Sequence, residues 1–231
     1  FPEARTLRMD RDTTSKKNSH EQILESFGRG DADILIGTQM IVKGHDFSRV
    51  TLVGVLLADL TLFSGDYRAG ERTFDLLTQA AGRAGRGDVP GKVVIQTYKP
   101  DNYAITAAAS QDYRAFYDIE EAYRSLMRYP PEWNMMVIMG TGMDEEQLAN
   151  IMDRMYSLIR GKYINAGHLS VIGPSEPAIS KIKDVYRRVL YIKHRDYRML
   201  VDVKDYVEEW LKENGDSDVS VFFDMNPVNM Y

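Results

Sequence analysis

Two stretches of the sequence combine residue types that suit the binding of phosphate groups. The first covers 37–47 and reads GTQMIVKGHDF. It offers a hydroxyl, an amide, a cation, a flexible backbone position and a carboxylate, at Thr38, Gln39, Lys43, Gly44 and Asp46. A phosphate or a ribose needs such donors and acceptors, and glycine allows the backbone to approach closely. The stretch therefore indicates contact with a nucleotide or a nucleic acid.

The second stretch, LLTQAAGRAGRG at 76–87, alternates Gly82 and Gly85 with Arg83 and Arg86. Each glycine costs about 1 kcal/mol relative to alanine inside a helix, so something local must offset that cost. In a helical turn the two guanidinium groups would project from one face, where small neighbours leave room for a polyanion. Arginine, always charged and forked, suits the γ-phosphate of a nucleotide. Taken singly, each stretch also fits an ordinary loop or a helix cap; together they favour a nucleotide site.

Short apolar runs alternate with helical patterns through the first half of the chain. The predicted elements are strands at 4–10, 32–38, 50–58 and 92–98 and helices at 20–29 and 69–81. Such alternation predicts a parallel sheet with right-handed crossovers, whose ligands lie beyond the carboxyl ends of the strands. We expect the runs 32–38 and 50–58 to be buried on both faces. Thr38 and the loop after it then lie at the ligand-binding edge.

The second half of the chain has a different order of elements. Helical periodicity over 102–128 ends at YPP, 129–131, where we place the domain boundary. Beyond it the pattern predicts strands at 133–139, 168–172, 186–194 and 219–225, and helices at 144–160 and 197–214. This strand–helix–strand–strand–helix–strand order is the ferredoxin-like split βαβ arrangement. The predicted fold class is therefore α/β followed by an α+β ferredoxin-like domain.

Composition limits the classes of protein that fit. No apolar run of about 18 residues and no signal-peptide pattern occurs, so neither a membrane span nor export is predicted. The absence of cysteine excludes disulfides and thiolate metal sites and fits a cytoplasmic protein. The net charge of −5 argues weakly against nucleic-acid binding, yet 181–198 holds seven basic residues against two aspartates. Phe1 in place of Met suggests a piece of a longer protein.

The basic segment contains a predicted strand with two different faces. Arg187, Val189, Tyr191 and Lys193 share one face, and the other face holds Arg188, Leu190, Ile192 and His194. Arginine, tyrosine and lysine suit phosphate contact and base stacking on single-stranded or branched DNA. The alternative is a solvated outer face whose tyrosine packs against a helix. The DNA-binding candidates are Arg187, Arg188, Tyr191 and Lys193.

The two stretches resemble known helicase motifs. ILIGTQMIVKGHDF resembles motif V, and QAAGRAGRG resembles motif VI, of the second RecA-like lobe of superfamily 2 helicases. DYRAGERTFDLLTQAAGRAGRG (66–87), YPP (129–131) and GPSEPAISKIKDVYRRVLYIK (173–193) are similar to the PriA family of primosomal helicases. The likeness extends over essentially the whole chain. It implies a partial RecA-like second lobe at 1–108, a helical linker at 109–131 and a ferredoxin-like domain for DNA and partner binding at 132–231.

The resemblance also implies roles for individual residues. Arg83 and Arg86 become catalytic arginines that reach the γ-phosphate of ATP, which the other lobe mainly holds. The implied ATP contacts are Gly44, Asp46, Gln79, Arg83 and Arg86. The implied DNA contacts in this lobe are Thr38, Gln39 and Lys43, although Lys43 also fits the nucleotide. An arginine finger can be worth about 10³–10⁵ in rate.

For the longer protein, the resemblance implies an ATP-dependent 3′→5′ DNA helicase. It would recognise stalled or branched forks and restart replication by primosome assembly, with primosome proteins and single-stranded DNA-binding protein as partners. Two alternatives stay open at this point. One is a RecG-like fork-remodelling translocase, and the other is a non-catalytic nucleic-acid-binding module.

Parts of a complete helicase are missing from the sequence. It contains no G-x-x-x-x-G-K-[ST] loop, and DEEQ at 144–147 lies at the start of a predicted helix, so it is not the carboxylate box that holds Mg²⁺. The cradle for ATP and Mg²⁺ is expected in an upstream first lobe. The resemblance also implies a cysteine-rich zinc module in the longer protein, with no zinc site here. We therefore expect this chain alone to lack ATPase and unwinding activity.

Overall fold

The computed structural model describes residues 1–10, 12–14, 19–42, 47–85 and 90–231. The chain divides into two compact units, Phe1–Tyr117 and Asp118–Tyr231. This division falls between the predicted boundaries after 108 and 131, which stay predictions. In the part of the chain that the structure describes, no helix is both long and apolar enough to cross a membrane.

The first unit contains two pairs of parallel strands. The pairs are β1 (Thr6–Met9) with β2 (Ile34–Gly37), and β3 (Leu52–Val55) with β4 (Lys92–Ile95). The helices are α1 (Ser19–Arg29) between β1 and β2, α2 (Ala69–Ala81) between β3 and β4, and α3 (Tyr103–Ser110) after β4. The predicted class, parallel strands flanked by helices, is confirmed.

Only one face of the pair β3–β4 is covered. Val55 and Ile95 pack against the apolar core formed by α2 and α3, whereas Leu52, on the opposite face, is 61% exposed. The prediction that 32–38 and 50–58 are buried on both faces is therefore wrong. In β2, Ile34 and Ile36 share one face and are 38% and 56% exposed, so among the described residues that face is not buried either.

The predicted helical segment 102–128 forms two helices, α3 and α4 (Tyr113–Met127). Gln111 has a left-handed φ of 54°, which ends α3. The side chain of Asp112 then accepts a hydrogen bond from the Ala115 N–H at 2.9 Å, as a helix cap does. The two caps together explain the break.

The second unit is one antiparallel sheet with two helices. Its strands are β5 (Asn134–Gly142), β6 (Ser170–Ser175), β7 (Lys181–Ile182), β8 (Val185–His194) and β9 (Val219–Met225). Its helices are α5 (Glu145–Tyr163) and α6 (Tyr197–Asn214). The strand order is β6–β8–β5–β9, with β7 paired to β8. This is the predicted ferredoxin-like order, to which the short strand β7 is added.

The helices of the second unit begin at aspartate caps. Asp144 accepts a hydrogen bond from the Gln147 N–H, and Asp196 accepts one from the Arg198 N–H, both at 2.9 Å. The apolar sides of α5 and α6 share one core with Leu190 and the other inward side chains of the sheet. One face of β8 therefore packs against the helices. Because side chains alternate along a strand, Arg187, Val189, Tyr191 and Lys193 lie on the opposite face.

Candidate nucleotide and nucleic-acid interface

The first candidate stretch begins where β2 ends. Thr38 follows the strand directly, and Gln39 opens a 3₁₀ turn over Gln39–Val42. Both residues are exposed. Their position at the carboxyl end of a parallel strand is the one expected of ligand-binding groups in such sheets. The other candidates of this stretch, Lys43, Gly44 and Asp46, lie outside the described residues.

Gly37 allows this turn to lie close to β1. A Cβ atom built at Gly37 would overlap the main-chain oxygen of Met9 and would stand 2.9 Å from Cγ2 of Ile41. Any side chain would therefore displace the strand or the turn. The position of Thr38 thus depends on a residue without a side chain.

The second candidate stretch ends helix α2. Gln79 is exposed on the last turn of this helix, and Arg83 follows the helix end as a half-buried residue. The same helix packs against the turn Gln39–Val42. The structure therefore places the helix that leads into the second stretch against the turn of the first stretch. Arg86 lies outside the described residues.

The glycines of this stretch lie beyond the helix, which removes the helical cost. The Gly82 N–H donates to the Thr78 oxygen at 3.0 Å and closes the last turn. Gly85 has a left-handed φ of 74°, and a Cβ atom there would stand 3.0 Å from the Cα of Gly91. The expected continuous helical turn through the arginines is wrong, because the backbone leaves the helical conformation at Gly85.

Asp59, a buried carboxylate of the first unit, was not among the residues predicted from the sequence. This residue is 2% exposed. It accepts hydrogen bonds from the Thr97 hydroxyl at 2.7 Å and the Tyr98 N–H at 2.8 Å. These bonds, the hydroxyl first, lower the pKa of Asp59. Its carboxylate thereby ties the segment after β3 to the segment after β4, and its signal was an acid inside the apolar run VLLADLTL.

The predicted alternation along β8 is confirmed by its packing. Leu190 and Ile192 lie in the core shared with α5 and α6. Val189 and Tyr191 pack with Tyr231 on the opposite face. The Tyr191 hydroxyl donates to the main-chain oxygen of Tyr231 at 3.1 Å. Residues near the end of the sequence therefore cover part of the face predicted to bind DNA.

Both arginines of β8 have acceptors within the second unit. Arg187 Nη1 donates to the main-chain oxygen of Ile179 at 3.2 Å. Arg188 Nη2 stands 3.7 Å from Oε1 of Glu145, on the helix side of the sheet. A DNA phosphate would have to replace these acceptors or share the guanidinium groups with them.

Lys193 is buried rather than presented to solvent. The residue is 6% exposed, its Nζ donates to the Met127 oxygen at 3.2 Å, and it stands 3.5 Å from the centroid of the Tyr129 ring. Burial, and secondly the charge of Arg128, lower the pKa of Lys193 to about 8. The segment after α4 covers this lysine, and the predicted DNA contact of Lys193 stays a prediction.

We expect Lys193→Met to raise the free energy of unfolding at pH 7 by about 1–2 kcal/mol after allowance for solvent screening. The pKa of about 8 in the fold lies below the ordinary 10.5. The penalty for a charged Lys193 is therefore complete below pH 8 and disappears as the pH rises toward 10.5, because only the unfolded chain still holds the proton. Urea unfolding from pH 7 to 10.5 measures the difference between variant and unsubstituted chain, which should shrink.

The matched control is Lys162→Met, because Lys162 is exposed and its Nζ also lies over a tyrosine ring, 3.4 Å from the Tyr206 centroid. This variant should change the free energy of unfolding by less than about 0.5 kcal/mol and leave its pH dependence unaltered. A constant difference for Lys193→Met across this pH range would contradict the assigned cause.

Comparison with known proteins connects both units to one family. The model of the helicase conserved C-terminal domain matches 3–88, and that of the primosomal protein N C-terminal domain matches 125–228. The replication restart protein PriA of Bacillus subtilis is 43% identical over 100% of this chain and 28% of its own length. The chain belongs to the PriA family. Replication restart protein PriA of Chlamydia trachomatis is 38% identical over 100% of this chain and 30% of its own length, and that of a Synechocystis species is 35% identical over 100% and 27%.

Membership of the PriA family agrees with the division into two units. The helicase match contains both Thr38 and Arg83, and the second match contains the whole sheet β5–β9. A primosomal C-terminal domain speaks against the RecG-like alternative. The chain spans less than a third of the length of these PriA relatives. Among solved structures, the de novo designed protein Foldit4 aligns with a TM-score of 0.30 at 16% identity, over 40% of this chain and 97% of its own, which is too low to indicate a common fold.

Proposed function

We propose that this chain supplies the second helicase lobe and the C-terminal domain of an ATP-dependent 3′→5′ DNA helicase. That protein would recognise stalled or branched forks and restart replication by primosome assembly. The observation that carries the proposal is the packing of α2, which leads into Arg83, against the turn that follows Thr38. A nucleotide-sensing group and a DNA-contacting turn on adjacent elements can move together when ATP is hydrolysed.

The described residues fit a partial ATP site rather than a complete one. Arg83 and Gln79 are donors near the end of α2, whereas no phosphate-cradling loop occurs in the sequence. ATP with Mg²⁺, held mainly by another lobe, would supply the phosphoryl transfer. In this arrangement Arg83 and Arg86 stabilise charge on the γ-phosphate, and Gly44, Asp46 and Gln79 add further contacts. Zinc would belong to another part of the longer protein, because this sequence contains no cysteine.

DNA contacts are proposed on both units. Thr38, Gln39 and Lys43 would meet phosphates in the first unit. In the second unit Arg187, Arg188 and Tyr191 would contact phosphates only if a phosphate replaced their present acceptors. These acceptors are the Ile179 oxygen, the Glu145 carboxylate and the Tyr231 oxygen. Primosome proteins and single-stranded DNA-binding protein are proposed as partners, and a cytoplasmic location stays a prediction. A second candidate, a binding module without catalysis, is favoured for the isolated chain because it lacks the phosphate-cradling loop.

The purified 231-residue chain should bind single-stranded and forked DNA without hydrolysing ATP. Fluorescence anisotropy with labelled oligonucleotides between about 50 and 200 mM salt should show affinity that falls as salt rises, because bound phosphates release counterions. Phosphate release should stay at the level of a protein-free sample with or without DNA. Either absent DNA binding or DNA-stimulated turnover of ATP by this chain would contradict the proposal.

A further inference from the structure

Three cations surround two aromatic rings where α4 leads into β5. Cζ of Arg128 and Cζ of Arg195 stand 4.9 Å and 5.4 Å from the centroid of the Trp133 ring. Lys193 Nζ lies 3.5 Å from the Tyr129 centroid. Trp133 is 5% exposed, whereas both arginines are exposed. We call these five residues the Trp133 cluster: a buried aromatic floor that holds two accessible guanidinium groups.

The backbone fixes both arginines of the cluster in place. Arg128, the first residue after α4, has a left-handed φ of 57°. The main-chain oxygen of Arg195 accepts a hydrogen bond from Nδ2 of Asn134 at 2.8 Å. Cation–π contact with the indole restricts each guanidinium further while its N–H edge stays available. Little side-chain entropy would therefore be lost when an anion binds.

The positive charge of the cluster lacks an acidic counterpart. Among the described residues, no carboxylate forms an ion pair with Arg128, Lys193 or Arg195. Lys193 and Arg128 instead repel each other, and this repulsion contributes to the lowered pKa of the lysine. Like charges held together without a counterion are unfavourable, so an anion bound at the two guanidinium groups would relieve the repulsion.

Resting on the proposed function, we infer that the Trp133 cluster binds the phosphate backbone of a DNA strand. Both guanidinium carbons lie near one ring, so they are no more than about 10 Å apart. Adjacent phosphates of one DNA strand lie closer together than that span, so each guanidinium could pair with a different phosphate. Arginine pairs bidentately with phosphate. Because Trp133 is buried, it cannot stack on a base, and the contact carries no sequence preference.

The test replaces both accessible cations, Arg128→Gln with Arg195→Gln, in the 231-residue chain. Anisotropy with a labelled single strand should show affinity reduced about tenfold or more at about 50 mM salt. The slope of log affinity against log salt should become shallower by about 1–2, because up to two phosphate contacts are lost. Strands of different sequence should lose affinity equally.

Arg154→Gln is the matched control. Arg154 is exposed and its Cζ stands 4.8 Å from the Trp210 centroid, so this variant loses one positive charge, half the loss of the double variant, and the same kind of ring contact at another site. Its DNA affinity should stay within about twofold of the unsubstituted chain. Unchanged affinity in the double variant would overturn the cluster as a site while leaving the proposed function intact. Absence of DNA binding by the unsubstituted chain would instead refute the proposed function for this chain.

Two further measurements keep the inference testable if the double variant unfolds. In a Trp210→Phe background, Trp133 is the only tryptophan, and its emission should change when DNA binds; constant emission at saturating DNA would overturn the site. Inorganic polyphosphate should displace labelled DNA at lower charge concentration than poly-glutamate does. Equal displacement by both would contradict the inference that the cluster is a phosphate site.

Discussion

Replacing Arg83 by alanine in a PriA-family protein that contains both helicase lobes is expected to lower the kcat of DNA-stimulated ATP hydrolysis by about 10³-fold. The cause is loss of a guanidinium that stabilises charge on the γ-phosphate during transfer. The KM for ATP should change far less, because the other lobe mainly holds the nucleotide. DNA affinity should be retained. Steady-state ATPase assays and anisotropy titrations on the same preparation measure all three quantities.

The control for this experiment is Arg154→Gln, which removes a guanidinium from α5 of the second unit, and whose kcat should match that of the unsubstituted protein. Arg83→Lys separates charge from geometry. A lysine ammonium keeps the charge but lacks the forked donors, so only part of the rate should return. If Arg83→Ala retains kcat within about threefold, the lobe acts as a passive binding module and the nucleotide-sensing role is refuted.

Elements with strong local signals were predictable from the sequence. α2 (Ala69–Ala81) and α6 (Tyr197–Asn214) have the predicted bounds, because amphipathic periodicity defined both. The break at Gln111 was not predictable, since no glycine or proline marks it. Strand ends were also missed: the run 32–38 contains only the four paired residues of β2, because pairing with β1 decides where the strand stops.

Candidate site residues were likewise predictable only where local pattern and chain order determine their position. Thr38 could be placed at the end of a strand because chain order and parallel pairing determine that position. Lys193 could not be placed, because its burial depends on the carbonyl of Met127, 66 positions earlier in the chain. The Trp133 cluster has the same origin, since the fold brings Arg128 and Arg195 to one tryptophan ring although they lie far apart in the chain. No periodicity within one segment contains that information.

Arg124→Met is expected to lower the free energy of unfolding by about 3–5 kcal/mol. Arg124 Nε donates to Oε1 of Glu120 at 2.7 Å, and the two side chains are only 10% and 7% exposed. Methionine fills similar space but removes this cation from beside a buried carboxylate. Arg124 Nη1 also donates to the Pro130 oxygen at 3.3 Å, so the segment that carries Arg128 would be less well held. Urea unfolding of the 231-residue chain measures the loss.

A second ion pair in the same unit, between Lys204 and Glu208, is more exposed and serves as a comparison. We expect burial of the charges, rather than the ion pair itself, to determine how much stability is lost. Lys204 Nζ stands 2.7 Å from Oε2 of Glu208, with the same i,i+4 spacing, but the side chains are 31% and 43% exposed. Water can replace that partner, so Lys204→Met should cost less than about 1 kcal/mol. Combining Glu120→Leu with Arg124→Met removes both buried charges and should recover most of the stability lost by Arg124→Met alone. Two results would contradict this explanation. One is an equal loss of unfolding free energy in Arg124→Met and Lys204→Met, and the other is no recovery of stability in the double variant. Either would show that Arg124 does not stabilise the fold by compensating the buried charge of Glu120.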